Sequence, residues 1–188
     1  ENTTAEVTYV YDNEDTIIDI GGNKTATIFL NEMKKVDKFD NITWFIPLGA
    51  GEQDNINALE TFNDIKKLDE AAKVIFILSR VTSSDLEWEF VNFFGHEFLN
   101  TSLAICNNIN DVKYIPIKSN SIISNARYFN KTVYDLAANK VDFKQMALKE
   151  DDKEKRRKLV FLNRVKNEAI EYTNYLKNDV FVQLDKLL

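Results

Sequence analysis

Cysteine is almost absent from this sequence. Cys106 is the only one among 188 residues, so the chain cannot form an intramolecular disulfide. This usage is typical of a reducing compartment, and we expect a cytoplasmic protein. No apolar run approaches the roughly 18 residues that a membrane span needs, and the first residues do not resemble a signal peptide. We therefore expect no membrane partner.

Glycine, proline and histidine are also scarce. Five glycines and two prolines leave no long flexible linker, so we predict a single α/β domain over residues 1–188, with a helical tail from 150. The single histidine, His96, has no cluster of cysteines or carboxylates at ligand spacing, and we interpret it as a structural or surface residue. Cys106 has no evident catalytic partner. The residues alone therefore predict no catalytic group.

Positive charge is outnumbered by negative charge. The 24 Lys and Arg face 30 Asp and Glu, which gives a formal charge of −6 and a pI of about 5.0. An acidic chain is a poor candidate for coating nucleic acid unless its basic residues cluster. Hydrophobic residues make up 44% of the chain and charged residues 29%, which is typical of a globular domain with a real core.

Apolar runs alternate with amphipathic stretches along the chain. The runs lack clean alternation, which favours a parallel sheet covered on both faces, and we predict a three-layer, mostly parallel α/β fold. The predicted strands are 7–11, 16–20, 43–48, 73–78 and 112–115, the last stopped by Pro116. The predicted helices are 24–35, 52–68, one capped by 83–85 and running to about Phe94, and two short helices within 120–138.

The last part of the chain differs, because residues 150–188 contain no glycine or proline. Apolar residues recur there at steps of three and four, which predicts one long amphipathic helix or two in line. We expect this apolar stripe to pack in the core rather than to bind a partner. The basic run 153–158 has two interpretations, contact with DNA phosphates or a solvated helix face, and the net charge favours the second.

The stretch 16–23, Thr-Ile-Ile-Asp-Ile-Gly-Gly-Asn, has a pattern that suits a ligand site. Asp19 follows an apolar pair and precedes Gly21 and Gly22. At the carboxyl end of a parallel strand, such a carboxylate and such glycines lie where a phosphate or a metal binds. Taken by themselves, however, Asp19 is better explained as a helix cap and the glycines as a tight turn. Three further strand ends carry unusual residues, and their convergence predicts a nucleotide-like ligand; they are 47–51, 79–80 and 116–118.

The order of these segments resembles the ParA/MinD group of P-loop ATPases, and within it the StbB-like plasmid-stability proteins. Residues 19–23 resemble the Walker B and switch II segment, and 44–48 resemble the next strand with its proline. Residues 75–81 resemble the strand that leads to the base-recognition residue. The resemblance extends over roughly 16–188 and also includes Gln53 to Thr61, Tyr114 to Pro116, Ser124 to Ala126, Lys131 to Asp135 and the charged terminal helix.

This resemblance implies a Rossmann-like P-loop ATPase that acts in plasmid or DNA partition through ATP-dependent dimerisation. It implies that Asp19 holds Mg²⁺, mostly through water, and that Gly21 and Gly22 approach the γ-phosphate of ATP. It further implies that Arg80 and Pro116 flank the adenine. The implied partners are a second copy of the chain, a partition adaptor protein and DNA.

Two features depart from the family pattern. The Gly-rich Lys-Thr phosphate loop is missing, and we expect it upstream of Glu1 or on another chain. The base-recognition strand ends in Ser79-Arg80, where the family commonly has Asn-Arg or Asn-Lys. We therefore expect that this chain alone does not hydrolyse ATP. Two alternatives stay open: a non-enzymatic interaction module that kept the fold, and a nucleotide- or cofactor-binding α/β protein of another family.

Overall fold

The computed structural model describes residues 17–20, 23–35 and 42–188. The strands are β1 Thr43–Leu48, β2 Lys73–Val81 and β3 Tyr114–Lys118. The first helices are α1 Asn23–Met33, α2 Glu52–Leu68, α3 Leu86–Glu89, α4 Val91–Phe94 and α5 Ile105–Asn108. The later helices are α6 Ser121–Tyr128, α7 Val133–Ala137, α8 Phe143–Lys149, α9 Lys153–Tyr175, a π-helical segment Leu176–Val180 and α10 Phe181–Leu187.

The three strands form one sheet in the order β1-β2-β3. β1 and β2 run parallel, with Thr43 opposite Lys73 and Leu48 opposite Leu78. Parallel neighbours need a crossover connection, and α2 supplies it between these two strands. The predicted α/β class, the parallel sheet and the long C-terminal helix are therefore confirmed.

β2 is the most deeply buried strand, and Ile75 and Phe76 at its centre are almost fully buried. A continuous apolar run is typical of a strand covered on both faces. β1 behaves differently, because Phe45 and Pro47 are exposed while the residues between and after them are buried. The prediction of a sheet covered on both faces thus holds for β2 and fails for β1.

Several predicted element bounds agree with the structure. Those of β1 and α2 match at both ends. β2 continues three residues beyond its predicted end, where the Val81 carbonyl accepts a hydrogen bond from the Ser119 N–H at 2.8 Å. The predicted helix ending near Phe94 is split into α3 and α4, and Asp85 caps α3 by accepting from the Trp88 N–H at 3.0 Å.

The strand predicted at 16–20 is wrong for the part that the structure describes. Residues 17–20 adopt no regular secondary structure. Their pattern still serves packing, because Ile18 and Ile20 lie against the buried side chains of α1. A strand requires hydrogen bonds to a neighbour, which an apolar pattern alone does not supply. The strand predicted at 7–11 lies outside the described residues.

Pro116 was predicted to stop β3, and this prediction is wrong. The proline lies in the middle of the strand. A proline is tolerated there because β3 is last in the order of the described strands, so no ladder among the described residues runs along one of its sides. Tyrosine hydroxyls from α9 form hydrogen bonds with the backbone of this strand. The Tyr175 hydroxyl donates to the Pro116 carbonyl at 3.4 Å and accepts from the Lys118 N–H at 3.1 Å. The Tyr172 hydroxyl donates to the Lys118 carbonyl at 3.4 Å.

The chain divides into two compact units. The first contains Glu1–Ser79 and Ser83–Tyr114, and the second contains Arg80–Thr82 and Ile115–Leu188. The end of β2 thus belongs with β3. Each unit has a core of its own.

The core of the first unit is centred on Phe76. Its ring stacks on Phe62, with 5.8 Å between ring centroids, and meets the Phe93 ring edge-on at 5.6 Å. Phe93 in turn contacts Phe94 and Tyr114 edge-on. Such aromatic arrangements add to the stabilisation that burial provides.

The core of the second unit lies between α9 and the short helices α6 and α7. Its buried members are Ile122, Ala126, Leu136, Val165, Ala169 and Tyr172. Every position of the predicted C-terminal stripe is at least partly buried, which confirms that the stripe packs in a core; the positions are Leu159, Leu162, Val165, Ala169, Thr173, Leu176, Val180, Leu184 and Leu187. Within the described residues, no helix is long and apolar enough to span a membrane.

α7 begins with a capping box. The Thr132 hydroxyl accepts from the Asp135 N–H at 3.1 Å, and the Asp135 carboxylate accepts from the Thr132 N–H at 2.9 Å. The backbone N–H of Thr132, and then its hydroxyl, hold the pKa of the Asp135 carboxyl below its usual value. Because folding lowers this pKa, the ionised Asp135 stabilises the folded state. This stabilisation is present above the unfolded-state pKa and disappears as the pH falls through the folded-state pKa.

Thr132→Ala is expected to raise the pKa of Asp135 part of the way to its ordinary value, since one of its two hydrogen-bond donors is lost. An NMR pH titration of the Asp135 side-chain carboxyl measures this. Thr132→Ser, which keeps the hydroxyl, serves as the control and should leave the pKa low. An identical titration in Thr132→Ala and the unaltered chain would contradict the expectation.

Candidate functional site

The predicted ligand residues fall in different parts of the molecule. Arg80 lies near the carboxyl end of β2 and Pro116 in β3, and both belong to the second unit. The structure thus brings these two residues to neighbouring strands. Asp19 belongs to the first unit, while Gly21 and Gly22 lie outside the described residues.

Arg80 has an unusual backbone conformation. Its φ angle is +62°, in the left-handed region. Two other described residues besides glycine share this region, Asp111 and Asn130, but Asp and Asn tolerate it well. Arg lacks the short polar side chain that makes the conformation acceptable, so Arg80 carries strain of about 1–2 kcal/mol. Strained residues of this kind cluster at binding sites.

Arg80→Gly is expected to raise the free energy of unfolding by about 0.5–1 kcal/mol, because glycine adopts positive φ without strain but loses more chain entropy on folding. Urea unfolding measures the change. Arg80→Lys keeps the Cβ atom and the positive charge, so it should leave stability unchanged. A loss of stability in Arg80→Gly would mean that the arginine side chain itself holds the end of β2.

Pro116 lies beside the hydroxyl of Tyr175, a contact that the sequence did not indicate. The Lys118 ammonium lies over the Tyr175 ring, 5.3 Å from its centroid. Burial, followed by the neighbouring Tyr175 and Tyr134, raises the pKa of Tyr172, so its hydroxyl stays protonated and can donate. These tyrosines lie far along the chain from β3, and their spacing in the terminal helix gives no signal of this contact.

Asp19 is exposed. Within the part of the chain that the structure describes, no group of three or more His, Cys, Asp and Glu is placed to hold a metal ion. Mg²⁺ bound to a nucleotide needs only one or two protein carboxylates, because phosphates and water complete its shell. Asp19 as a magnesium ligand therefore stays a prediction.

The strand end 47–51 leads into the N-terminus of α2, and helix N-termini favour anions. Asp54 already occupies this helix terminus, and its carboxylate accepts a hydrogen bond from the Gly49 N–H at 3.2 Å. Glu52 adds a second negative charge in the first turn. Both acids would repel a phosphate, so this helix N-terminus is a poor phosphate site.

A cavity of about 280 Å³ lies at the opposite, amino end of β2 and β3. The Lys66 ammonium lines it but is already committed, since it donates to the carbonyls of Glu70 at 2.7 Å and Ala72 at 2.9 Å. Ligands of parallel α/β sheets bind at the carboxyl ends of the strands. The cavity therefore does not coincide with the predicted site.

His96 is a surface residue, which agrees with the sequence interpretation. Its Nδ1 atom accepts a hydrogen bond from the Phe98 N–H at 3.2 Å. Its ring contacts the rings of Trp88 and Phe98, at centroid distances of 6.0 and 5.7 Å. Cys106 is half-buried, and burial raises the pKa of its thiol, which makes it a poor nucleophile at neutral pH.

Charge is divided unequally between the two units. The second unit holds 16 of the 24 Lys and Arg but only 10 of the 30 Asp and Glu, so its formal charge is +6 and that of the first unit is −12. The whole-chain charge conceals this division. The net charge of −6 therefore does not count against a nucleic-acid partner of the second unit.

Comparison with models of protein families, with curated proteins and with solved structures finds no match to this chain. The resemblance to ParA/MinD proteins accordingly stays a prediction.

Proposed function

We propose that this protein is part of a ParA/MinD-like ATPase with a Rossmann-like P-loop fold, which acts in DNA partition and dimerises when it binds ATP. The observation that carries the proposal is the left-handed Arg80 near the carboxyl end of the central strand. This is the edge at which parallel α/β sheets bind ligands, and a strained arginine there suits the recognition of a nucleotide base.

Two described side chains would contact the adenine. The guanidinium of Arg80 is exposed, planar and able to stack on a purine or donate to its ring nitrogens. Pro116 offers an apolar ring on the neighbouring strand. Asp19 would supply a carboxylate for Mg²⁺, which neutralises phosphate charge when bound. The described residues contain no phosphate loop, so this proposal assigns them the base and the metal, and no hydrolytic step.

Calorimetry with ATP·Mg²⁺ tests the proposal on this chain and on the longest natural form of the protein. We expect binding by the long form, and a roughly tenfold weaker affinity in its Arg80→Ala variant, which corresponds to the loss of one good base contact. Arg80→Lys is the matched control for charge, and it should recover only part of the affinity because an ammonium does not stack.

Absence of binding by either form would overturn the proposal. Full affinity in the Arg80→Ala variant would remove Arg80 from the site. Binding by the 188-residue chain alone would mean that its phosphate site lies elsewhere than the family resemblance implies.

A second candidate is a non-enzymatic interaction module. The division of charge between the units favours it, because charges of −12 and +6 create surfaces that attract oppositely charged partners. The module needs no nucleotide. The two candidates are therefore separated by the same calorimetry, together with a partner-binding assay that omits ATP.

A further inference from the structure

The first unit exposes two large aromatic side chains that contact the same histidine. Trp88 is 62% exposed and Phe98 is 82% exposed, and the ring of each contacts the ring of His96. Exposed aromatic side chains of this size are typical of interaction sites. We name the surface formed by Asp85, Glu87, Trp88, Glu97 and Phe98 the acidic aromatic face.

The acidic aromatic face is held in place by hydrogen bonds. The Thr101 hydroxyl accepts from the His96 N–H at 2.9 Å, and Asn107 donates to the Thr101 carbonyl at 3.0 Å. Gly95, with a φ of +84°, begins the turn, and a Cβ there would lie 2.7 Å from the Asn107 side chain. Phe98 is therefore presented on an ordered loop, which reduces the entropy lost on binding.

The segment that carries the acidic aromatic face contains negative charges only. Residues 81–112 contain five Asp and Glu and no Lys or Arg. A partner must therefore combine positive charge with an apolar surface that can cover Trp88 and Phe98.

The second unit carries a surface with these properties. Residues 153–166 contain seven Lys and Arg and one acid. Lys153, Arg157, Val160, Phe161 and Arg164 are spaced by three and four residues, so they lie on one side of α9, and all five are exposed. Phe161 is 54% exposed and Val160 57%. We name these five residues the basic apolar face.

We propose that two copies of this chain associate head to tail, with the acidic aromatic face of one copy against the basic apolar face of the other, in the absence of nucleotide. The charges are complementary, and each face offers apolar side chains for the other to bury. Such a contact is heterologous, because it joins different surfaces of the two copies.

A second copy suits the basic apolar face better than a nucleic acid does. Phosphates would pair with Lys153 and Arg157 but would leave Val160 and Phe161 uncovered or merely stacked. Five side chains per face make a small interface, so we expect a weak complex with a Kd on the order of 10–100 μM.

Sedimentation velocity over a range of protein concentrations, without nucleotide, tests the proposal. The average mass should rise with concentration at about 0.05 M salt and fall to that of the monomer at about 0.5 M, because exposed ion pairs are screened. A monomer at every concentration up to about 0.5 mM in low salt would overturn the proposal. So would association that salt leaves unchanged.

Charge reversal identifies the faces. Glu87→Lys with Glu97→Lys reverses the first face, and Lys153→Glu with Arg157→Glu reverses the second. Each double variant alone should associate about tenfold more weakly or not at all, since attraction becomes repulsion. An equimolar mixture of the two should recover association, because the reversed faces are again complementary. Failure of the mixture to recover would overturn the pairing of these two faces.

Matched controls distinguish an effect of these two faces from an effect of net charge. Glu60→Lys with Glu70→Lys reverses two exposed acids elsewhere in the first unit, so it changes the net charge by the same amount as the first double variant. Lys177→Glu with Lys186→Glu is the corresponding control in the second unit. Both should associate like the unaltered chain, and an equal loss in these controls would overturn the assignment. Phe98→Ser, which leaves the charge unchanged, should also weaken association.

Two other partners are tested in the same series. If the unaltered chain stays monomeric but binds duplex DNA, or binds vesicles containing anionic lipid, and Lys153→Glu with Arg157→Glu abolishes that binding, the second copy is the wrong occupant. The proposal uses no nucleotide and neither Arg80 nor Pro116, so its failure would leave the proposed ATPase function unaffected.

Discussion

Phe76→Ala is expected to lower the free energy of unfolding by about 3–5 kcal/mol, the usual cost of removing a fully buried phenyl ring. Phe76 is 1% exposed and contacts the rings of Phe62 and Phe93. The surrounding strand and helices cannot close the cavity that the ring leaves, so both the burial and the aromatic contacts are lost.

Urea unfolding followed by tryptophan fluorescence measures this effect. Both tryptophans, Trp44 and Trp88, lie in the first unit with Phe76, so the signal reports the unfolding of that unit. Phe45→Ala is the matched control, because Phe45 lies on the neighbouring strand but is 45% exposed. It should cost about 1 kcal/mol or less.

Phe76→Leu covers the case in which the alanine variant fails to fold. Leucine keeps much of the volume, and the expected loss is about 1–2 kcal/mol. Equal losses in the Phe76 and Phe45 variants would contradict the central position of Phe76 in this core.

Ile122→Ala is expected to lower the free energy of unfolding of the second unit by about 2–5 kcal/mol. Ile122 is fully buried in the cluster between α6 and α9, whereas its neighbour Ile123 is 39% exposed. Ile123→Ala is therefore a control with the same chemistry one position away, and it should cost well under half as much.

Amide hydrogen exchange is the best measure of the stability lost in Ile122→Ala, because the second unit contains no tryptophan to report its unfolding by fluorescence. Amides of α9 around Val165 and Ala169 should exchange faster in Ile122→Ala and nearly as slowly as normal in Ile123→Ala. Similar exchange in the two variants would mean that α6 does not stabilise α9 through this cluster.

Elements defined by short-range patterns could be predicted from the sequence. β1 and α2 agree at both ends with their predicted bounds, and the C-terminal stripe packs as expected. Helical periodicity and apolar runs are local properties, so the residues that produce them are neighbours along the chain. Asp85 was likewise identifiable as a helix cap, because a cap contacts only its own first turn.

Features that depend on distant residues could not be predicted. Residues 17–20 have the composition of a strand but are not one, and Pro116 lies inside a strand that it was expected to stop. In both cases the outcome is decided by which strands pair, and for Pro116 by the side of β3 along which no described strand pairs. The hydroxyl of Tyr175, which bonds to that strand, comes from a residue 59 positions away from Pro116.

The candidate site also combines features that the sequence indicated with features that it did not. The sequence indicated Arg80 and Pro116 only through a family resemblance, and it gave no sign that Arg80 adopts a left-handed conformation. The charge argument was made on the whole chain, whose net value of −6 hides a first unit of −12 and a second of +6. Only the contacts show which residues belong to which unit.

By itself, the sequence determined the α/β class, the long amphipathic C-terminal helix, and the lack of an intramolecular disulfide, because composition and local periodicity decide these properties. Only the tertiary structure decided the division into two units, the unequal charge that this division reveals, and the conformation of Arg80. These features arise from contacts between residues far apart in the chain, which no local pattern encodes.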